Sequence, residues 1–364
     1  MSNKAITKSE QLAQKATNHT RNSNIILDRL YVPSIRSQTL IERSIKRFDM
    51  RTILILAVFA TVMVGQAAHA AQQCHQVRFG IVDWTDVRAT TAVASELLQA
   101  LGYEVAISDQ SVVETYDAMA NGDIDVFLGN WMPSLAPVAD PLINDQKIER
   151  LRANLKGAKY TLAVPQYVYE AGVRRFSDIA RFPDKFEQRL YGLENGNDGN
   201  QLILDMINAN AFGLGRFDLI ETSERIMLAQ VNGKIRDQKW IVFLAWAPHP
   251  MNEQFDIAYL EGGDDYFGPD KGGSTVYTNT RAGFADDCEN VATFLNNLEF
   301  SLAMEGQVMN MILNQFVPQD RAARHWMYRN PEAVEAWLKD VTHRDGSEVD
   351  ARAIADSMKL TLPN

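Results

Sequence analysis

From Val77 onward the chain alternates short apolar runs with segments of helical period, and this alternation restricts the fold more than any other feature. Val77–Val82 predicts a strand ending at Asp83-Trp84. Thr85 or Asp86 can cap the helix that follows, with Val93, Leu97, Leu98 and Leu101 as its apolar stripe and Gly102 as its stop. Glu104–Ile107 predicts a second strand, Val112–Met119 a helix and Ile124–Leu128 a third strand. Strands alternating with helices build βαβ units and a parallel sheet. Residues 140–157 are charged and predicted helical in part. Tyr160–Val164, closed by Pro165, reads as a strand crossing into a second lobe. There the pattern repeats: Leu190–Leu193, Asp218–Ile220 and Trp240–Ala245 as strands, Gln201–Ala211 and Ile226–Ile235 as helices. Phe255–Leu260 begins the return and Ser274–Asn279 lies back in the first lobe. From Cys288 onward the chain predicts helices over Val291–Leu298, Ser301–Leu313, Pro331–Leu338 and Val349–Met358. The expected fold class is α/β: a two-lobed clamshell, each lobe a mixed β-sheet flanked by helices. Lobe one takes residues 71–159 and 258–364, lobe two residues 160–257. Hinge closure around a ligand is the ordinary behaviour of such a shape.

Four aromatic residues stand in polar, turn-like surroundings beside these apolar runs: Trp84, Trp131, Tyr160 and Trp246. In open α/β sheets, ligands bind beyond the carboxyl ends of the strands, where large aromatics act as walls rather than core. A box of π faces holds a quaternary ammonium, which has no N–H to donate. Trp84 is flanked by Asp83 and Asp86; Asp86 reads equally as a plain helix cap or as a carboxylate facing a cation. Trp131 lies between Gly129 and Pro133, poorly placed for core packing. Tyr160 opens the crossing strand, and Trp246 precedes Pro248 and Pro250. Within Asn195-Gly196-Asn197-Asp198-Gly199-Asn200, one of Asn197 and Asp198 caps the next helix and the other is free to face a cleft. Trp240, Trp326 and Trp337 read as structural, and His249 as a turn residue.

The two termini differ in kind. The first 49 residues carry nine Lys or Arg against four Asp or Glu without an apolar period, and read as disordered or as an upstream extension of a start at Met50. Met50-Arg51, the 12-residue apolar run Ile53–Val64 and the Ala68-His69-Ala70 site have the pattern of a signal peptide over residues 50–70. A long cytoplasmic leader is the competing reading. Residues 1–70 hold ten basic and four acidic side chains, so of the formal charge of −10 the remaining residues carry −16. That balance argues against nucleic acid and anionic lipid as partners and mildly favours cationic ligands. The two cysteines, Cys74 and Cys288, both fall in the exported part and read as one disulfide, with two buried thiols as the alternative. No second cysteine or histidine stands at ligand spacing, so no metal is expected. Gly268–Thr275 has glycines at phosphate-loop spacing but lacks the lysine after the second glycine, and no Gly-x-Ser-x-Gly elbow is present. Neither enzyme nor cofactor chemistry is expected.

Several stretches together resemble the periplasmic choline-binding proteins of ABC importers, within the wider glycine betaine/choline substrate-binding family. They are Asp83–Asp86, Asp125–Pro133, Ala158–Pro165, Gly196–Asn200, Trp240–Leu244 and Pro248–Asn252, spread over residues 74–345. The resemblance implies a type II periplasmic-binding-protein clamshell. It implies an aromatic cage of Trp84, Trp131, Tyr160 and Trp246, with Asp86 balancing the ammonium charge and Asn197 bonding the choline hydroxyl. It also implies choline as ligand, an ABC permease with its ATPase as partner, a periplasmic location and a monomer. Ala245 and Ala247, flanking Trp246, depart from the glycine and glutamate of the family pattern.

Overall fold

A computed structural model describes residues 74–360; the expectations for residues 1–49 and for the signal peptide at 50–70 lie outside the described residues. Strand β1 (Gln76–Ile81) leads into helix α1 (Thr85–Ala100), which ends before Gly102 at φ 90°, the left-handed turn its glycine permits. Strand β2 (Glu104–Asp109) follows. Helix α2 (Val112–Asn121) opens with a capping box: Ser111 and Glu114 exchange backbone and side-chain hydrogen bonds. Strand β3 (Val126–Met132) and helix α3 (Ala136–Asn144) complete the first run, with β1 parallel to both β2 and β3.

Strand β4 (Ile148–Pro165) is much longer than the crossing strand the sequence predicts, and residues 148–157 are not helical. Its charged side chains find partners sideways: Arg150 reaches Asp140 at 2.7 Å and lies over the Tyr277 ring, and Arg152 pairs with Glu299. A charged strand is stable here because the charges never enter the core. Beyond it come β5 (Arg189–Tyr191), α4 (Asp198–Asn208), β6 (Asp218–Ile220), α5 (Glu224–Arg236), β7 (Phe243–Ala247), β8 (Ile257–Tyr259) and β9 (Gly273–Arg281). The strand order is β2-β1-β3-β9-β4-β7-β5-β6, with β8 beside β4. The early part of β4 pairs with β9, its late part with β7 and β8. Each end of the sheet is thus a mixed assembly, and one strand runs through both.

Helices α6 (Glu289–Asn297), α7 (Leu302–Leu313), α8 (Gln319–Arg329), α9 (Pro331–Trp337) and α10 (Ala351–Ser357) follow. Helices α7 and α8 pack on α1. Helix α8 adds to the late helices expected; it carries Trp326, which stacks on Trp337 at 5.9 Å. A disulfide joins Cys74 to Cys288 across 214 positions, tying the entry to β1 to the start of α6. Among the described residues no helix is long and apolar enough to cross a membrane.

Two strand ends extend further than the sequence suggests. Trp131 lies within β3, and Trp246 within β7, rather than in the turns beyond them. Strand β3 continues because it pairs antiparallel with β9 through Met132, after an irregularity between Phe127 and Asn130. Gly129 at that irregularity lets α1 approach closely: a Cβ there would meet Val87 at 2.5 Å.

Candidate ligand cage

Strand register brings the aromatics together. Tyr160 on β4 is directly opposite Trp246 on β7, so the two side chains emerge on the same face of the sheet. Trp131 on β3 comes within 6.0 Å of Tyr160 between ring centroids, tilted by 57°. Trp84 caps the start of α1 in an extended conformation, directly after β1. All four are buried. They line one pocket together with Asp86, Leu193 and Asp198. Among the described residues, no Lys, Arg or His lines it.

Most ring heteroatoms are already engaged. Trp131 Nε1 donates to Asp86 Oδ2 at 2.9 Å, Trp84 Nε1 to Glu194 Oε1 at 2.7 Å, and the Tyr160 hydroxyl to Asn197 Oδ1 at 2.9 Å. These bonds fix ring orientation before any ligand arrives. Trp246 Nε1 has no hydrogen-bond partner among the described residues; its ring instead meets His249 edge-on at 4.6 Å. Behind Tyr160 stands Phe267, at 6.0 Å and nearly perpendicular.

Two carboxyl groups reach the cavity from two helix starts. Asp86 sits in the first turn of α1 and Asp198 in the first turn of α4. Burial pushes the Asp86 carboxyl up to about 7, against the Trp131 N–H and with the help of the neighbouring Glu224 charge. Burial likewise raises Asp198 to about 6, opposed by the Ser134 hydroxyl. Neither oxygen of Asp198 has a partner at hydrogen-bonding geometry, since Ser134 donates to the Trp131 carbonyl. A buried carboxylate without donors is costly. A cation in the cavity would offset that cost for both groups.

Of the six ligand-binding residues expected from the sequence, the cavity is lined by Trp84, Asp86, Trp131, Tyr160 and Trp246, and not by Asn197. Asn197 is the N-cap of α4: its Oδ1 accepts from Gly199 N at 2.9 Å, from Asn200 N at 3.3 Å and from Tyr160, while its Nδ2 donates to Glu194 at 3.2 Å. Its Oδ1 and one of its two Nδ2 protons are thus engaged at the helix start, and Asn197, expected to bond a ligand hydroxyl, does not reach the cavity lining. Asp198 faces the cavity instead. The sequence does hold that signal, since one of the Asn197–Asp198 pair must cap and the other is free. Nothing local marks Leu193. Gly199 completes this corner; a Cβ there would meet the Tyr160 hydroxyl at 2.1 Å, so the ring's seat requires a glycine.

An aromatic box with paired carboxyls thus lies between two ends of a mixed α/β sheet, the arrangement of a small-molecule binding protein. Residues 75–329 match the family model of the substrate-binding domain of ABC-type glycine betaine transport systems, and the chain belongs to that family. A solved ABC-transporter choline-binding protein in complex with choline is 47% identical, with a TM-score of 0.76 over 78% of this chain and 98% of that one. An ABC-transporter choline-binding protein in an unliganded semi-closed conformation is also 47% identical, with a TM-score of 0.71 over 79% and 99%. The glycine betaine/carnitine transport binding protein GbuC of Listeria monocytogenes is 25% identical over 148 residues, 41% of this chain and 48% of that protein.

Proposed function

We propose that this protein captures choline between the two ends of its sheet and delivers it, chemically unchanged, to an ABC permease and its ATPase. The observation that carries this reading is the composition of the cavity wall: four aromatic rings and two carboxyl groups, without a cationic side chain. A desolvated cation–π contact contributes about 0.5–2 kcal/mol, so four rings offer roughly 2–8 kcal/mol. Micromolar affinity requires about 8 kcal/mol. The rings, the buried methyl groups and the carboxylates together reach that range. The 47% identity to a protein solved with choline supports the same ligand.

In this reading the two ends act as lobes, 71–159 with 258–364 and 160–257, hinging where β4 passes between them. The signal-peptide pattern at 50–70 supports a periplasmic location, and a monomer suffices because every lining residue comes from one chain.

Glycine betaine is the second reading, favoured by the family's own description. Its carboxylate would meet Asp86 and Asp198, and the one orphan donor in the wall is Trp246 Nε1. Like charges brought into one cavity disfavour that ligand. Calorimetry on refolded, ligand-free protein with choline and glycine betaine decides between them. Tighter choline binding is expected, with choline recovered intact from the complex by mass spectrometry; tighter glycine betaine binding would overturn the assignment.

A further inference from the structure

Glu224 lines no part of the cavity, yet its carboxylate lies between the supports of three residues that do. It opens α5, at the β7–β5–β6 end of the sheet, and is 4% exposed. Across the gap, Thr85 opens α1 at the other end. Thr85 N donates to Glu224 Oε2 at 3.0 Å and Thr85 Oγ1 to Glu224 Oε1 at 2.7 Å. Thr85 is the residue between Trp84 and Asp86. On its other side Glu224 Oε1 meets His249 Nε2 at 3.2 Å. Met251 N donates to His249 Nδ1 at 2.9 Å, which places the ring proton on Nε2, pointing at the carboxylate. The His249 ring in turn stands edge-on against Trp246.

Helix α1 needs this contact. Its N-cap residue is Trp84, whose side chain makes no capping bond, so the first N–H of the helix would otherwise be an orphan. A carboxylate at a helix start is also favoured by the helix dipole. The donor groups come from both ends of the sheet, so the full set forms only when the ends are together.

We infer that Glu224 is the positioning residue that couples assembly of the cage to ligand retention: it caps α1 from across the cleft and braces His249 behind Trp246. It touches no ligand in this scheme. The inference rests on the reading of the cavity as a quaternary-amine cage.

The test measures choline binding by calorimetry and stopped flow, with ligand-free unfolding alongside. Glu224→Ala removes hydrogen bonds to a charged group and is expected to weaken choline about 10- to 100-fold, mainly through faster dissociation. Its ligand-free melting temperature should stay within about 1 °C of wild type, because the ligand-free protein can open and hydrate this region, while the ligand-induced rise in melting temperature shrinks. Thr85→Ala should weaken binding, Thr85→Ser should restore it, and Thr85→Ala with Glu224→Ala should lose no more than Glu224→Ala alone. A Glu224→Ala affinity within twofold of wild type would overturn the inference. So would full additivity of the two losses, or an equal fall in melting temperature with and without choline. Wild-type protein titrated with glycine betaine separates the failures: if it binds glycine betaine and not choline, the ligand assignment falls, and the same variants are then judged on glycine betaine.

Discussion

The starts of α1 and α4 deliver one carboxyl each to the same cavity, but they are built in opposite ways. Helix α4 is capped by its own chain: Asn197 accepts from Gly199 N and Asn200 N, and Asp198 is left facing the cavity without a donor of good geometry. Helix α1 has no side-chain cap of its own. Its first N–H is satisfied by Glu224, and its Asp86 is held by the Trp131 indole on another strand. One start is complete in about four consecutive residues; the other is completed by residues 45 and 139 positions away. The self-capped start is local, whereas the remotely capped one draws its partners from distant parts of the chain.

The sharpest way to break this contrast is to remove Trp131, because it supplies both a ring and the only indole donor on Asp86. Trp131→Ala is expected to weaken choline at least about 100-fold, from the lost cation–π contact and the unpaired Asp86 together. Trp131→Phe keeps a ring without the N–H and should fall between, roughly tenfold weaker. Calorimetry of the pair reads the two contributions apart. A Phe variant as good as wild type would mean that Asp86 holds its place without the indole, and the contrast between the two helix starts would lose half its basis.

Acid titration sharpens it next. Burial raises Asp86 to about 7 and Asp198 to about 6, so both hold protons in the folded chain at pH values where the unfolded chain has released them. The stability they confer on the ligand-free, cavity-buried state is present below the ordinary carboxylate range and is lost as pH rises through about 6 and then about 7. Cation binding has the reverse sign, because choline favours the ionised forms. Choline affinity should therefore rise by about tenfold from pH 6 to pH 8 and level off above that. Asp86→Asn should remove the upper part of that rise and Asp198→Asn the lower part. A flat affinity across this range in the wild type would show that neither carboxyl responds to the ligand's charge.

How far the sequence could be read follows the same division. The βαβ order, the stop at Gly102 and the late helices rest on local period and punctuation, and the structure has them within a few residues. The aromatic wall was legible because tryptophans beside strand ends, among aspartates and prolines, make poor core. The length of β4 was not, since the charged residues 140–157 read as helical in part until Asp140, Tyr277 and Glu299 stand beside Arg150 and Arg152. The extension of β3 through Trp131 depends on pairing with β9, more than 140 positions later. Glu224 was invisible for the same reason: an acid at the start of a helix is ordinary, and only the fold brings Thr85 and His249 to it.

Asn197 gives the smallest expected effect and the cleanest discrimination. The resemblance assigns it to the ligand, but the structure spends its side chain on the helix start and on Tyr160. If it is a cap, Asn197→Ala should cost the ligand-free protein about 1 kcal/mol of stability in denaturant unfolding, the ordinary value for losing an N-cap. Choline affinity should then fall only a few fold, through a less firmly held Tyr160 ring. Asn197→Asp keeps the acceptor for Gly199 N and should retain the stability while losing the donor to Glu194. A ligand contact predicts the opposite pattern: unchanged ligand-free stability and an affinity loss beyond about 30-fold, because a buried hydroxyl would be left unpaired. That result would return Asn197 to the cavity wall and make α4 a helix start that is finished only when the ligand is in place, unlike α1, whose start is completed by Glu224 and Trp131.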